Sequence, residues 1–165
     1  MREGDEVLLQ GFTCVAVPNA VVWNGLKPVF VDVDDHYNLV DDLESYIGPN
    51  TKAIIVQHTF GIAANMKAIA LAAKKHNLFI IEDCAHALGG MYASQPLGSF
   101  GDVSIVSFGR DKVVSSVFGG AALTKNKTVA AALSSFEKNL EPAPWFFYLT
   151  TTTLSHNICY IFASL

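Results

Sequence analysis

The sequence predicts an α/β domain, a mostly parallel sheet flanked by helices, and three observations carry that reading. Short apolar runs rich in Val and Ile recur along the chain, helix-period stretches lie between them, and turn residues punctuate the joins. Parallel strands covered on both faces read in this way, as near-continuous apolar runs without clean two-residue alternation. At 165 residues the chain suits one domain, and a chain of that size buries roughly 70% of the surface it exposes when unfolded.

Strands are expected at 6–10, 28–33, 53–57, 79–82, 103–107 and 121–124, each a run of branched or apolar residues bounded by polar or turn residues. The best helix is 65–76. Met66, Ile69, Ala70 and Ala73 fall on one stripe, Asn65 caps the start, and Lys74, Lys75 and His76 suit the negative end of the helix dipole. Helices at 41–47 and 128–139 follow with weaker patterning. Gly25-Leu26-Lys27-Pro28 and Gly48-Pro49-Asn50 mark turns between elements.

Composition excludes several classes. The net charge is -4 and no Lys/Arg cluster exceeds the pair Lys74–Lys75, so nucleic acid is not an expected partner. Cys14, Cys84 and Cys159 lie far apart without a Cys-x-x-Cys pair, which indicates neither a disulfide framework nor a thiolate zinc site; no metal is expected. A reducing, cytoplasmic setting follows, and the charged stretch Met1 to Glu6 has no signal-peptide layout. Charged residues are only 16% of the chain, against roughly 25% in an average soluble domain. Some apolar surface is therefore expected to face a missing segment, a partner subunit or lipid.

The chain divides into 1–140, which carries the regular α/β pattern, and 141–165, an apolar tail. From Pro142 onward the tail has no charge, but Thr150 to Thr153, Ser155, His156 and Asn157 interrupt it. It is too polar in its middle for a good spanning helix of about 20 apolar residues. An insertion, or a helix lying against a membrane, is the expectation.

The chemistry gathers after the strands. Lys112 sits on a loop between the run 103–107 and Gly119–Gly120; an ammonium among apolar neighbours is unfavourable unless paired, which favours the nucleophilic free amine. The plain alternative is a surface lysine on a turn. Asp83 ends the run 79–82 and could hold a proton on a heteroaromatic ring nitrogen, or else cap a following helix with Glu82 merely solvated; both readings stand. His86 follows three residues on, and Ser107 supplies a hydroxyl five residues before Lys112, suited to a phosphate or to ordinary turn chemistry. His58 ends another strand, where packing is the expected role. Gly119–Gly120 permits close approach of a ligand or marks a strand entrance. In an open α/β sheet ligands bind beyond the carboxyl ends of strands, where Asp83, His86, Ser107 and Lys112 all fall. No Gly-x-Ser-x-Gly elbow, Gly-x-Gly-x-x-Gly loop or Walker loop is present.

Ordered blocks run from Gly4-Asp5-Glu6-Val7 through Phe12-Thr13, Lys27 to Asp34, Thr51 to Ile55, His58 and Gly61. They continue with Ile81 to Gly89, Gly98-Ser99-Phe100-Gly101-Asp102, Ser107-Phe108 with Lys112, and Gly119–Gly120. In these blocks the chain resembles the DegT/DnrJ/StrS family of sugar aminotransferases, so it is expected to be a partial large domain of a fold-type I, pyridoxal-phosphate-dependent transferase. The resemblance implies that Lys112 holds the cofactor covalently and moves the proton in transamination. It further implies that Asp83 pairs with the pyridine nitrogen, that His86 lies near the ring hydroxyl and that Ser107 binds the phosphate. It also implies transfer of an amino group, commonly from glutamate, to a nucleotide-linked keto sugar for surface glycan synthesis, in a homodimer. Relatives with a histidine in place of that lysine dehydrate sugars, so Lys112 favours transamination.

Two departures from the family pattern stand out. Cys14 occupies a position where the family often places an aromatic that stacks on the cofactor, and the upstream phosphate cup and the C-terminal domain are missing. The chain is expected to be truncated at both ends and, alone, inactive; the alternative is a non-catalytic binding module of the same fold.

Overall fold

The computed structural model describes residues 1–117, 119–139 and 158–159. In chain order the elements are β1 (Glu6–Gln10), α1 (Ala16–Trp23), β2 (Lys27–Val31), β3 (Thr51–Gln57), α2 (Met66–His76), β4 (Phe79–Asp83), β5 (Met91–Tyr92), β6 (Gln95–Pro96), β7 (Val103–Ser107), β8 (Gly120–Leu123), α3 (Lys127–Lys138) and β9 (Ile158–Cys159). The main sheet has the order β2-β1-β3-β4-β7-β8-β9, and β5 and β6 form a separate hairpin. Pairings from β2 across to β7 are parallel, and β8 and β9 add antiparallel strands at the far edge. The expected mostly parallel sheet flanked by helices is therefore the architecture observed.

Strand alternation sorts the core onto two faces. Leu8, Ile54, Val56 and Ile80 pack with Met66, Ile69 and Ala73 of α2, while Val7, Leu9, Ala53 and Ile55 pack with Val17 and Val21 of α1. Asn65 caps α2 by accepting from the Ala68 N–H at 3.2 Å, and Asn77, at φ 53°, closes it in left-handed conformation. Asn126 caps α3 in the same way, accepting from the Thr128 and Val129 N–H groups.

Two expectations need correction, and two elements were not expected. The segment 41–47 forms only a 3-10 turn at Glu44–Tyr46, since Ile47 is already extended before Gly48 and Pro49. The second strand stops at Val31, and Val33 makes an isolated bridge with Leu39 instead. Helix α1 was not among the expected helices; its Pro18 falls in the first turn, where a missing N–H needs no partner. The β5–β6 hairpin turns on Ala93 and Ser94, both at positive φ, residues that carry no turn signal.

Among the described residues no helix is long and apolar enough to cross a membrane. The tail 141–165 lies outside the described residues except for Ile158–Cys159, which form β9. Gly119–Gly120 serves the strand entrance: a Cβ on Gly120 would meet the Val106 carbonyl oxygen at 2.6 Å, so only glycine lets β8 approach β7 there.

Glu82, merely solvated in one of the two readings of Asp83, is fully buried. Its carboxylate accepts from the N–H groups of Gly98 (2.8 Å), Phe100 (2.7 Å) and Gly101 (2.6 Å), and lies 3.2 Å from His58 Nε2. His58 Nδ1 accepts from the Ala64 N–H at 3.2 Å, so the ring proton sits on Nε2 and is donated to Glu82. Burial pushes the Glu82 carboxyl up, but the His58 hydrogen bond and the Gly101, Gly98 and Phe100 N–H groups outweigh it and hold the group below its ordinary value.

The Glu82→Gln substitution turns one acceptor into a donor that faces N–H groups, and should cost roughly 3–5 kcal/mol of unfolding free energy in urea titrations. Because the folded value is lowered, the contribution of Glu82 is complete above the ordinary glutamate value near 4.5 and is lost as pH falls through the lower, folded one. Stability of the unsubstituted protein should therefore fall more steeply below pH 4.5 than that of the Gln variant.

Candidate active site

Four loops meet at the carboxyl edge of the parallel strands. A cavity of about 270 Å³ there is lined by Phe12, Thr13 and Cys14 after β1, Gln57, Thr59 and Phe60 at and after β3, Asp83, Ala85 and His86 at and after β4, and Lys112 after β7. Strand order reverses between β1 and its neighbours β2 and β3, so the cavity lies at a topological switch point, the usual crevice of open α/β sheets.

Alternation along β4 turns Ile80 and Glu82 toward the α2 face, and Asp83 takes the opposite one. Asp83 is 7% exposed. Its Oδ1 accepts from the Ala85 N–H at 2.9 Å, which closes a local turn, and no α-helix follows for it to cap. Lys112 Nζ lies 3.0 Å from His86 Nε2 and 3.4 Å from Asp111 Oδ2, with the lysine side chain 15% exposed. The Asp111 carboxyl is held below its ordinary value by its own backbone N–H first and then by the Lys112 charge and hydrogen bond. The His86 ring lies nearly parallel to Phe60, 6.0 Å between centroids and 13° between planes.

Lys112, Asp83, His86 and Cys14 therefore share one cavity. Ser107 does not line it: its hydroxyl accepts from the Gly109 N–H at 3.3 Å. Gly61, at φ 83°, brings the loop after β3 against the His86 carbonyl, which a Cβ would approach to 3.1 Å. The sequence reading missed Gln57, Thr59 and Phe60 as lining residues. Their signal was polar and aromatic residues directly after an apolar strand, the position already credited to Asp83.

His58, Glu82 and Cys84 form a second cluster, with ligand atoms within 4.8 Å of one another. Both ring nitrogens of His58 and both carboxylate oxygens of Glu82 are already hydrogen-bonded. Burial, then the Glu82 and Asp83 charges, push the Cys84 thiol up to about 12, so it stays protonated. This cluster is framework.

An amine, a buried carboxylate and an imidazole around one cavity suit a pyridoxal ring, whose aldehyde, ring nitrogen and hydroxyl need those three groups. The fold is that of part of the large domain of the fold-type I architecture. The chain belongs to the DegT/DnrJ/EryC1/StrS aminotransferase family, which matches residues 1–140. It is 41% identical over 131 residues to GDP-perosamine synthase of Escherichia coli O157:H7, covering 78% of this chain and 36% of that protein. It is also 47% identical over 107 residues to a UDP-N-acetyl-3-dehydro-alpha-D-glucosamine 3-aminotransferase of Acidithiobacillus ferrooxidans, covering 64% of this chain and 29% of the relative. Among solved structures, DesI in the presence of its TDP-sugar product superimposes with a TM-score of 0.75 at 36% identity, covering 82% of this chain and 36% of DesI. The chain thus spans about a third of the length of the relatives it matches.

Cysteine labelling gives a direct check of the geometry. Cys14 is exposed in the cavity and Cys84 is buried with a raised thiol. Iodoacetamide at pH 8 should modify Cys14 at least tenfold faster than Cys84, and pyridoxal phosphate should protect Cys14, as read by peptide mass spectrometry.

Proposed function

We propose that this chain is the cofactor-bearing part of a pyridoxal-phosphate-dependent aminotransferase acting on a nucleotide-linked keto sugar, in surface polysaccharide synthesis. The observation that carries the reading is the convergence of Lys112, His86 and Asp83 on one cavity at the carboxyl edge of the sheet. The relatives' names support the substrate class, since GDP-, UDP- and TDP-linked sugars recur among them. Glutamate as donor and assembly as a homodimer belong to the same proposal.

When bound, pyridoxal phosphate supplies an aldehyde that condenses with amines and a cationic ring that withdraws electrons from the carbon losing its proton. Asp83 would keep the proton on the ring nitrogen, a role supported by its burial, since a carboxylate 7% exposed favours a charge-assisted hydrogen bond. Lys112 carries the amine that anchors the cofactor and, once released, takes and returns the proton at the reacting carbon. His86 receives a hydrogen bond from Lys112 Nζ or donates one to it, so it orients the amine and shares its proton. Phe60 lies parallel to His86 on one side and restricts the positions its ring can take.

A second reading, the same fold without competent cofactor binding, is favoured by one observation: the Ser107 hydroxyl is turned to Gly109 and lies outside the cavity lining. Colour separates the two. In the chain extended to its relatives' length, pyridoxal phosphate should give visible absorbance, and borohydride should fix the cofactor on Lys112, located by peptide mapping. Lys112→Ala should abolish the fixation and lower turnover by about 10²–10⁴-fold. A colourless protein, or one that Lys112→Ala leaves unchanged, sinks the enzyme reading.

A further inference from the structure

Phe12, Tyr37 and Phe60 stand together at the mouth of the cavity and stay 45%, 49% and 63% exposed. Phe12 and Tyr37 lie 4.8 Å apart between ring centroids, and Phe60 lies 6.1 Å from Phe12 and 6.3 Å from Tyr37. Three large rings that touch one another and still face solvent are not a core. Their backbone is also held where side chains resist it. Tyr37 has φ 60° and Phe60 φ 54°, left-handed values that L-residues adopt rarely and bulky ones more rarely. Asn77 has such a value because it closes α2, and Ala93 and Ser94 because they turn a hairpin; Tyr37 and Phe60 are the two aromatic cases, and both belong to this triad. Backbone strain of this kind persists where the surroundings over-determine it.

The surroundings do so through Gln10, which is 1% exposed. Its Nε2, with two hydrogens to donate, lies within hydrogen-bond distance of three acceptors, the Phe12 carbonyl (2.7 Å), the Tyr37 carbonyl (2.7 Å) and Thr59 Oγ1 (2.9 Å). Thr59 Oγ1 donates in turn to the Tyr37 carbonyl at 2.8 Å and accepts from Gln57 Nε2 at 3.0 Å, while Gln57 Oε1 accepts from Thr13 Oγ1 at 2.6 Å. One buried amide and one hydroxyl thus lock the loops after β1, β2 and β3 with all three rings turned outward.

The geometry points to the Phe12–Tyr37–Phe60 triad as a stacking platform for the heteroaromatic base of the nucleotide-linked substrate, an inference that rests on the substrate class proposed above. Continuity with the cavity selects this occupant. Phe12 and Phe60 line the same cavity as Lys112, and Phe60 also stacks on His86, whose ring contacts the lysine amine. A molecule whose reacting carbon reaches Lys112 therefore leaves its far end over these rings. A sugar joined through a diphosphate to a base is long enough to reach from the amine to these rings, and it carries the flat heteroaromatic end that stacking requires. Stacking also tolerates any base, because every base presents a π-face.

The test uses the chain extended to its relatives' length and loaded with pyridoxal phosphate, with UDP and GDP as probes in isothermal titration and ribose 5-phosphate as the probe without a base. Tyr37→Ala and Phe60→Gly should each weaken both diphosphates about tenfold, in line with a stacking contribution of roughly 1–3 kcal/mol per base. Ribose 5-phosphate binding should stay within twofold. Phe60→Gly relieves the left-handed backbone and so guards against misfolding, and Tyr37→Phe keeps the ring and should hold the original affinity. Diphosphate affinities unchanged in both variants, or no diphosphate binding by the unsubstituted protein, overturn the proposal. So does a change from dimer to monomer in sedimentation with affinities intact, which would make the rings a contact between subunits. Borohydride fixation on Lys112 reads the cofactor site separately, so loss of the platform and loss of the proposed enzyme are distinguishable.

Discussion

The buried carboxylate of Glu82 is the constraint on which the site's geometry depends. It draws three backbone N–H groups from Gly98, Phe100 and Gly101 and the ring N–H of His58 onto one side chain. These partners belong to the segment that enters β7 and to the residue that follows β3, so one side chain ties together three neighbouring strands beneath the candidate site. Close packing reinforces it: a Cβ on Gly101 would meet the Ile80 carbonyl oxygen at 2.9 Å. Strand alternation does the rest. With Glu82 committed to the α2 face, Asp83 must emerge on the other, and a one-residue slip would exchange the two carboxylates.

This arrangement divides labour between adjacent acids. Glu82 has no solvent and four donors, while Asp83 has one backbone donor from Ala85 and an opening into the cavity. The first is saturated and can only hold; the second keeps acceptor capacity for a ligand. The same contrast separates His58, hydrogen-bonded at both ring nitrogens, from His86, whose contacts are the lysine amine and the face of Phe60. Saturated polar groups beneath and unsaturated ones above are what a preformed binding site requires, since the lower layer supports the upper without competing for the ligand.

Much of this was legible in the sequence. Each main strand up to β8 announced itself as a short apolar run, several of them rich in Val and Ile, and Asn65 marked the start of α2 because a cap is a local, side-chain event. Elements that depend on a particular position within a turn were not legible: Pro18 reads as a breaker unless the first helical residue is known, and Ala93–Ser94 gives no sign of left-handed backbone. Asp83, His86 and Lys112 could be placed at strand ends, but Ser107 could not be placed relative to the cavity, because the loop from Phe108 to Lys112 decides which way its hydroxyl turns. The solvated alternative for Glu82 fails for a different reason. Its two-residue phase with Ile80 already put it inward, and only its charge argued for solvent; the donors that neutralise that argument lie at Gly98 to Gly101, remote in sequence.

Cys14 bears on how a ring would be gripped. The family pattern often has an aromatic there, and a thiol offers far less area to a pyridine face. Among the described residues no other aromatic takes its place directly, since Phe12 and Phe60 of the cavity lining are engaged with each other, with Tyr37 and with His86. Retention of the ring would then lean on the polar contacts at its ends, the Asp83 carboxylate and the Lys112 amine, more than in a relative with a stacked aromatic. The space freed above Cys14 adjoins the aromatic triad, so the same substitution that loosens one side of the cavity opens it toward the rings where the far end of a long substrate would lie.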